Sequence, residues 1–390
     1  MTITQKGLLI LLKSAITGER LPLPEGFRLE DADEMIRKQS LLPLAFQGAY
    51  NCGISPKTEL MQQYQKQYYR ILFRSQRQMA AVKQIFQAFE ENDIDFVPLK
   101  GCNMKLLYPQ PELRTMGDAD ILIRVEQYER IKPLMQSLGF AEEKENSHEL
   151  NWSREDLHVE LHKCLIPPEN KEFYSYFADG WSLAMPQKGT RYAFTPEDEF
   201  IFNFVHMTKH YRARGIGSRH FLDLYVFRRA NPKLNDDAIC KKMEKLHLLE
   251  FYQNTLHLLE NWFEGTPSNE KTEAMTQFIF SGGIWGDNKL IQVTQELKKA
   301  SGNKAIKNTK ASMAWELLFP PISKLQYQYR ILIKHPYLYP LVWIYRAFRL
   351  IVARRDNIRK KLGTLHELTD EKVLARREEL RFVGLDFYDE

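Results

Sequence analysis

Cysteine is scarce: the 390 residues hold four (Cys52, Cys102, Cys164 and Cys240), far apart and with no Cys-x-x-Cys pair. That excludes a disulfide scaffold, a zinc ribbon and a thioredoxin-type site, and three of the four are read as small buried hydrophobes. No uncharged apolar run reaches 18 residues, so no transmembrane helix is indicated. The short apolar run Leu8–Leu12 has no basic segment ahead of a small-residue cleavage site. It reads as part of an amphipathic first helix rather than a signal peptide, and a cytoplasmic protein is expected. Repeats and low-complexity tracts are absent, and 19 Gly and 18 Pro are ordinary frequencies, which excludes collagen-like and disordered classes. An excess of one charge is missing too: 55 Lys+Arg against 50 Asp+Glu leaves +5, too little at this size to imply nucleic acid.

What remains is globular, with 44% hydrophobic, 27% charged and 12% aromatic residues. The length is a prior for two or three domains of roughly 100–200 residues each. Four segments are delimited: an N-terminal helical region at 1–92, a mixed core at 93–195, a helical unit completing a cleft at 196–310, and a basic aromatic segment with an acidic tail at 311–390. A long helix is expected from Ser55-Pro56, as N-cap and first helical residue, to about Asn92. Its core face carries Leu60, Tyr64, Tyr68, Ile71, Leu72, Met79, Val82 and Ile85 at three- and four-residue spacing. From Ile94 the pattern changes to strand (Ile94–Leu99), short helix (Gly101–Tyr108), polar loop, strand (Asp118–Ile123) and helix (Glu126–Leu138). Strand candidates follow around Phe140–Lys144, Glu149–Trp152 and Leu157–His162. After Pro196 the chain reads as helical, with breaks near Gly215–Gly217, Gly265–Pro267 and Pro320–Pro321. The class is therefore α+β, a small mixed sheet flanked by extensive helical segments.

Asp118-Ala-Asp120 opens a hydrophobic strand, so both acids share one face about 7 Å apart while Ile121 and Ile123 face a core. Two such acids repel unless a cation sits between them, which makes the pair a platform for a divalent metal such as Mg²⁺; a solvated turn is the alternative. Lys100-Gly101 lies at a strand-to-helix junction, where backbone N–H groups suit a phosphate. In His158-Val-Glu-Leu-His162 the alternation isolates Glu160 between apolar neighbours, a third carboxylate on a neighbouring strand. That is what two-metal phosphoryl chemistry needs.

This combination resembles the polymerase-beta-type nucleotidyltransferase superfamily. More closely, Leu99-Lys-Gly101, Tyr108-Pro109, Arg114, Asp118-Ala-Asp120 and the Glu160-Leu-His162 strand resemble the bacterial uncharacterised nucleotidyltransferase family, most strongly over 85–230. The resemblance implies a nucleotidyltransferase core in which Asp118 and Asp120 ligate two Mg²⁺ or Mn²⁺ ions. Glu160 would ligate the catalytic ion and help deprotonate the acceptor, and Gly101 with its neighbouring N–H groups would hold the triphosphate. Lys100, Cys102 and Arg114 complete the expected nucleotide site. Two departures from the superfamily concern the triphosphate: Gly101-Cys102 replaces Gly-Gly or Gly-Ser, and the stretch from Gly101 to Asp118 is long. The implied reaction moves a nucleoside monophosphate from an NTP, ATP among the candidates, to an unidentified hydroxyl-bearing acceptor and releases pyrophosphate. The alternative is a catalytically inactive nucleotide-binding or scaffold protein of the same fold.

Further candidates surround this centre. His206 and His210 share a helix face at i, i+4, with His220 and Asp223 on the next helix. His206, His210 and Asp223 are read as substrate-cleft residues, with a transition-metal site or plain helix packing as alternatives. His162 flanks Glu160 as a further cleft residue. The segment 321–360 carries nine Lys/Arg against one Asp, interleaved with aromatics. Peripheral contact with the inner face of an anionic membrane fits it, as does an ordinary helix with a solvated basic face; the acidic tail after Leu362 would fold back on it. Nucleic acid is an improbable partner. Acceptor, base preference and oligomeric state are not encoded in any motif.

Overall fold

The structure, a computed structural model, describes residues 1–143, 149–167, 170–283, 331–353 and 370–387, with positions 290, 294, 325 and 329 besides. The N-terminal helices are α1 (Ile3–Thr17), α2 (Leu29–Lys38), α3 (Leu42–Asn51) and the long α4 (Glu59–Glu91). A reciprocal capping box between Thr2 and Gln5 starts α1. Gly48 lets α1 and α3 touch, since a Cβ there would collide with the Leu11 carbonyl oxygen.

Helix α4 begins later than the Ser55-Pro56 signal predicts. The Ser55 carbonyl accepts the Thr58 N–H and closes a turn, and the Thr58 hydroxyl caps the Met61 N–H. Of its expected core face, Tyr64, Tyr68, Val82 and Ile85 are buried. Leu60, Ile71, Leu72 and Met79 are half-buried, and the buried stripe runs instead through Met61, Gln78, Ala81 and Phe89.

One mixed sheet of seven strands follows, in the order β3-β4-β5-β2-β1-β7-β6. The strands are β1 (Phe96–Pro98), β2 (Asp118–Ile123), β3 (Ala141–Glu142), β4 (Glu149–Arg154), β5 (Leu157–His162), β6 (Met185–Lys188) and β7 (Arg191–Ala193). The β2 strand is antiparallel to β1 and parallel to β5. The last two strands were not expected: β6 is fully exposed and carries a proline, so no alternation marks it. The expected helix to Tyr108 is instead a single α-turn, α5 (Gly101–Met104), continued by a 3₁₀ turn over Lys105–Leu107. Helices α6 (Tyr128–Ser137) and α7 (Lys171–Phe177) complete this part.

Alternation gives the sheet two different faces. Ala119, Ile121, Ile123, Val159, Leu161 and Trp152 pack with Ile85, Phe89 and Ile131 on one side. On the other, Leu122 joins a larger core with Phe202, Phe221 and Leu224. Those residues belong to α8 (Pro196–Arg214) and α9 (Ser218–Ala230), followed by α10 (Asp236–Lys245), α11 (Leu249–Phe263) and α12 (Glu270–Ser281). The helix boundaries fall at the expected glycine breaks, Gly215–Gly217 and Gly265–Pro267. The class is α+β as the sequence pattern predicts.

The expected break at Pro320–Pro321 and the ends of the 321–360 segment lie outside the described residues. Within it, a helix spans Tyr339–Ala353, with Tyr337, Leu341, Ile344 and Tyr345 exposed beside and along it. Among the described residues no helix is long and apolar enough to cross a membrane. The final helix spans Asp370–Phe382, and the expected folding back of the acidic tail on the basic segment involves residues outside the described ones. This helix buries Val373 and Leu380 in the main core, where Arg376 donates to the Tyr211 carbonyl at 3.1 Å. Apolar docking decides its position. Of the cysteines, only Cys102 is buried; Cys52, Cys164 and Cys240 are half-buried, and all four are free thiols.

Candidate active site

Asp118 and Asp120 leave β2 on the face opposite Ala119, Ile121 and Ile123, as period-2 alternation requires. The parallel register sets Asp118 across from His158, Asp120 across from Glu160 and Leu122 across from His162. On the far side of β5, Glu149 faces His162. The acids and His162 therefore converge on one patch. It forms the wall of a cavity of about 280 Å³ that α8 and α9 close from the other side.

Asp120 is 4% exposed, and its Oδ1 lies 2.8 Å from Lys100 Nζ and 2.8 Å from His162 Nε2. Burial opposes its charge, but Lys100 and His162 outweigh that and hold its carboxyl well below the usual range. Glu160 goes the other way: burial, then the charge of Asp120, push it up to about 8. Burial and Asp120 also raise Asp118. For Lys100, burial disfavours the ammonium, yet Asp120, Glu160 and Asp118 keep its pKa above the ordinary value. The patch is an acid cluster short of cations.

Ligand atoms of Asp120, Glu160 and His162 lie within 4.8 Å of one another, the spacing of a site that can hold a metal ion. Two carboxylates and an imidazole suit a divalent first-row ion, and the charge of Asp120 on Glu160 is what an arriving cation relieves. The residues thus fit the metal expected of this cluster. Asp118 lies on the same wall but outside that close group, whereas His162, read from sequence only as a cleft residue, lies inside it.

The nucleotide-site expectations change in three places. Cys102 does not line the cavity: its thiol is in the core beneath the sheet with Met116 and Ala119, where burial pushes it up to about 12. The N–H groups of Cys102, Asn103 and Met104 are not free for phosphate, because they bond to the carbonyls of Leu99 and Lys100. A Cβ at Gly101 would sit 3.2 Å from Met116 Cγ and 3.3 Å from Arg114 Nη1, tighter than ordinary contact. Arg114 lines the cavity, but its guanidinium grips Asp223 with two bonds of 2.8 and 2.9 Å. Tyr108 donates to the same carboxylate at 2.7 Å. Asp223, expected in the cleft, lines the cavity with its carboxylate held in this buried ion pair.

His206 and His210 do face the cavity together, Nε2 to Nε2 at 3.2 Å. Burial, reinforced by Lys100 for His206 and Lys209 for His210, drives His206 well below its usual value and His210 to about 3. Both imidazoles are neutral.

Sequence reasoning missed Arg219. It is buried at the cavity wall and donates to Thr115 Oγ1 at 2.6 Å and to the Thr115 carbonyl at 3.2 Å. Its nearby carboxylate, Asp223, is already paired with Arg114, and its Nε has no partner among the described residues. Burial, then Arg114, lower its pKa to about 10. The only signal was an arginine directly before His220 at the start of a helix.

Residues 25–264, more than half of the chain, match the profile of a family described as "Uncharacterised nucleotidyltransferase". No curated protein matches. A solved structure, titled "Solution Structure of Antibiotic-Resistance Factor ANT(2'')-Ia Reveals Substrate-Regulated Conformation Dynamics", is 13% identical. The match covers 48% of this chain and 97% of that one, with a TM-score of 0.31, too low to bear on fold or activity.

Proposed function

The chain belongs to the uncharacterised nucleotidyltransferase family, and from that membership and the site geometry we propose that it transfers a nucleoside monophosphate from an NTP to an acceptor hydroxyl, releasing pyrophosphate. The observation that carries the reading is the pairing of Asp120 with Glu160 on adjacent parallel strands, with Asp118 and His162 beside them on the wall of one cavity. Asp120 and Glu160, assisted by Asp118 and His162, would hold Mg²⁺ or Mn²⁺. Bound there, the metal supplies charge for the leaving pyrophosphate and acidifies the attacking hydroxyl.

The chain's own residues divide the remaining work. Glu160, beside Asp120 on the cavity wall, is placed to accept the acceptor's proton. Arg219, a buried guanidinium hydrogen-bonded only to neutral groups among the described residues, is placed to meet phosphate oxygens. The neutral His206 and His210 offer hydrogen bonds to an acceptor without adding charge opposite the carboxylates.

Incubation with α-labelled NTPs and Mn²⁺ tests the reading. Pyrophosphate release that disappears in Asp120→Asn supports it. Equal release by the folded variant sinks it.

The Tyr339–Ala353 helix supports one addition. Exposed Leu341, Ile344 and Tyr345 sit within a strongly basic stretch, a composition suited to lying on an anionic membrane surface.

A further inference from the structure

Lys100 occupies an unusual place. Its backbone has φ +42° and ψ −112°, a left-handed conformation that costs a non-glycine residue energy and persists where surrounding contacts enforce it. Those contacts tie it to its partner: the Leu99 N–H donates to the Asp120 carbonyl at 3.0 Å, and the Lys100 carbonyl accepts the Met104 N–H at 2.8 Å. The turn is thus stitched to β2 at the residue whose side chain the ammonium reaches. A sequence reading assigns this lysine to phosphate. The structure turns it to Asp120.

We propose that the Lys100 ammonium is a tethered cation that takes the place of one of the two metal ions, so that the site works with a single divalent ion plus Lys100. This rests on the nucleotidyltransferase reading and revises its expectation of two ions. The argument is one of lone pairs. Asp120 Oδ1 has two, and an ionised carboxylate engages both, with Lys100 Nζ and with His162 Nε2 in the tautomer that carries its proton there, each at 2.8 Å. A second ion bridging through Oδ1 has to displace a half-buried ammonium. Lysine suits the position because its charge is compact, like that of a small ion.

The test counts ions. Manganese binding is measured by electron paramagnetic resonance on the full chain at pH 8, with and without a non-hydrolysable ATP analogue. The wild type should bind one Mn²⁺ with no spin-coupled pair. Lys100→Met, which frees one lone pair of Oδ1, should bind two, and Lys100→Arg should return to one. A coupled pair of Mn²⁺ ions in the wild type, at the roughly 3.5–4 Å of a two-metal centre, overturns the proposal while leaving the nucleotidyltransferase reading intact. That wild-type measurement decides the matter even if Lys100→Met does not fold. A folded Lys100→Met that still binds one ion also overturns it. No Mn²⁺ binding by the wild type, with or without analogue, overturns both readings.

Discussion

Asp120 and Glu160 lie directly across from each other on parallel strands, yet their carboxyls are driven to opposite ends of the titration range. Asp120 touches Lys100 and His162. Glu160 has His162 only at 3.7 Å, and burial and the charge of Asp120 push it up. Divergence of two neighbouring acids is the signature of assigned roles in a site, one kept ionised and one poised to exchange a proton.

The raised Glu160 makes stability fall with pH. Below about 4.5 both folded and unfolded states hold the proton. Between there and about 8 only the folded state keeps it, so stability drops as pH rises through that window and is level above it. Glu160→Gln should remove this slope, leaving a metal-free protein that melts above the wild type at pH 8 by scanning calorimetry. It should gain nothing from Mn²⁺, whereas the wild type should be stabilised by it. A variant with the same pH slope as the wild type contradicts the assignment.

The buried Arg114–Asp223 pair sets a stability prediction. Asp223→Ala leaves an uncompensated guanidinium and should cost about 3–5 kcal/mol in urea unfolding. A loss below 1 kcal/mol would mean that water reaches the pair, against its roughly tenfold shielding from solvent (10% and 9% exposed).

Arg219→Met should weaken ATP binding about ten- to hundredfold, the worth of a charge-assisted hydrogen bond, while Mn²⁺ binding without nucleotide stays as in the wild type. Isothermal titration of both ligands separates the two effects. Unchanged ATP affinity removes Arg219 from the phosphate site.

The basic helix yields a prediction of its own. The full chain should sediment with vesicles containing phosphatidylserine and not with neutral vesicles, and the double substitution Leu341→Asp/Ile344→Asp should abolish sedimentation. Failure of the wild type to sediment retires the membrane contact.

Much of the centre was legible because strands with one buried face announce themselves. In Asp118–Ile121 and Leu157–His162 the apolar residues alternate with the polar ones, so period separates wall from core there. Other features depend on contacts that a sequence does not carry. The phase of a single helical turn decides whether Cys102 meets the cavity or the core, and period cannot fix so short a turn. His162 joins Asp120 only through the parallel pairing of β2 with β5. Arg219 is informative only because Asp223 is already taken by Arg114, which is a fact of three-dimensional neighbours. The exposed β6 strand carries no hydrophobic pattern at all, and so the sheet read from sequence stopped short of its edge.

The most direct measurement is calorimetric titration of ATP with and without Mn²⁺, on the wild type and on Asp118→Asn/Asp120→Asn. ATP binding that requires Mn²⁺ and is lost in the folded double variant is the predicted result. ATP binding of equal strength without metal, or retained by the double variant, contradicts the claim that the carboxylate face of β2 and β5 is the nucleotide-transfer centre.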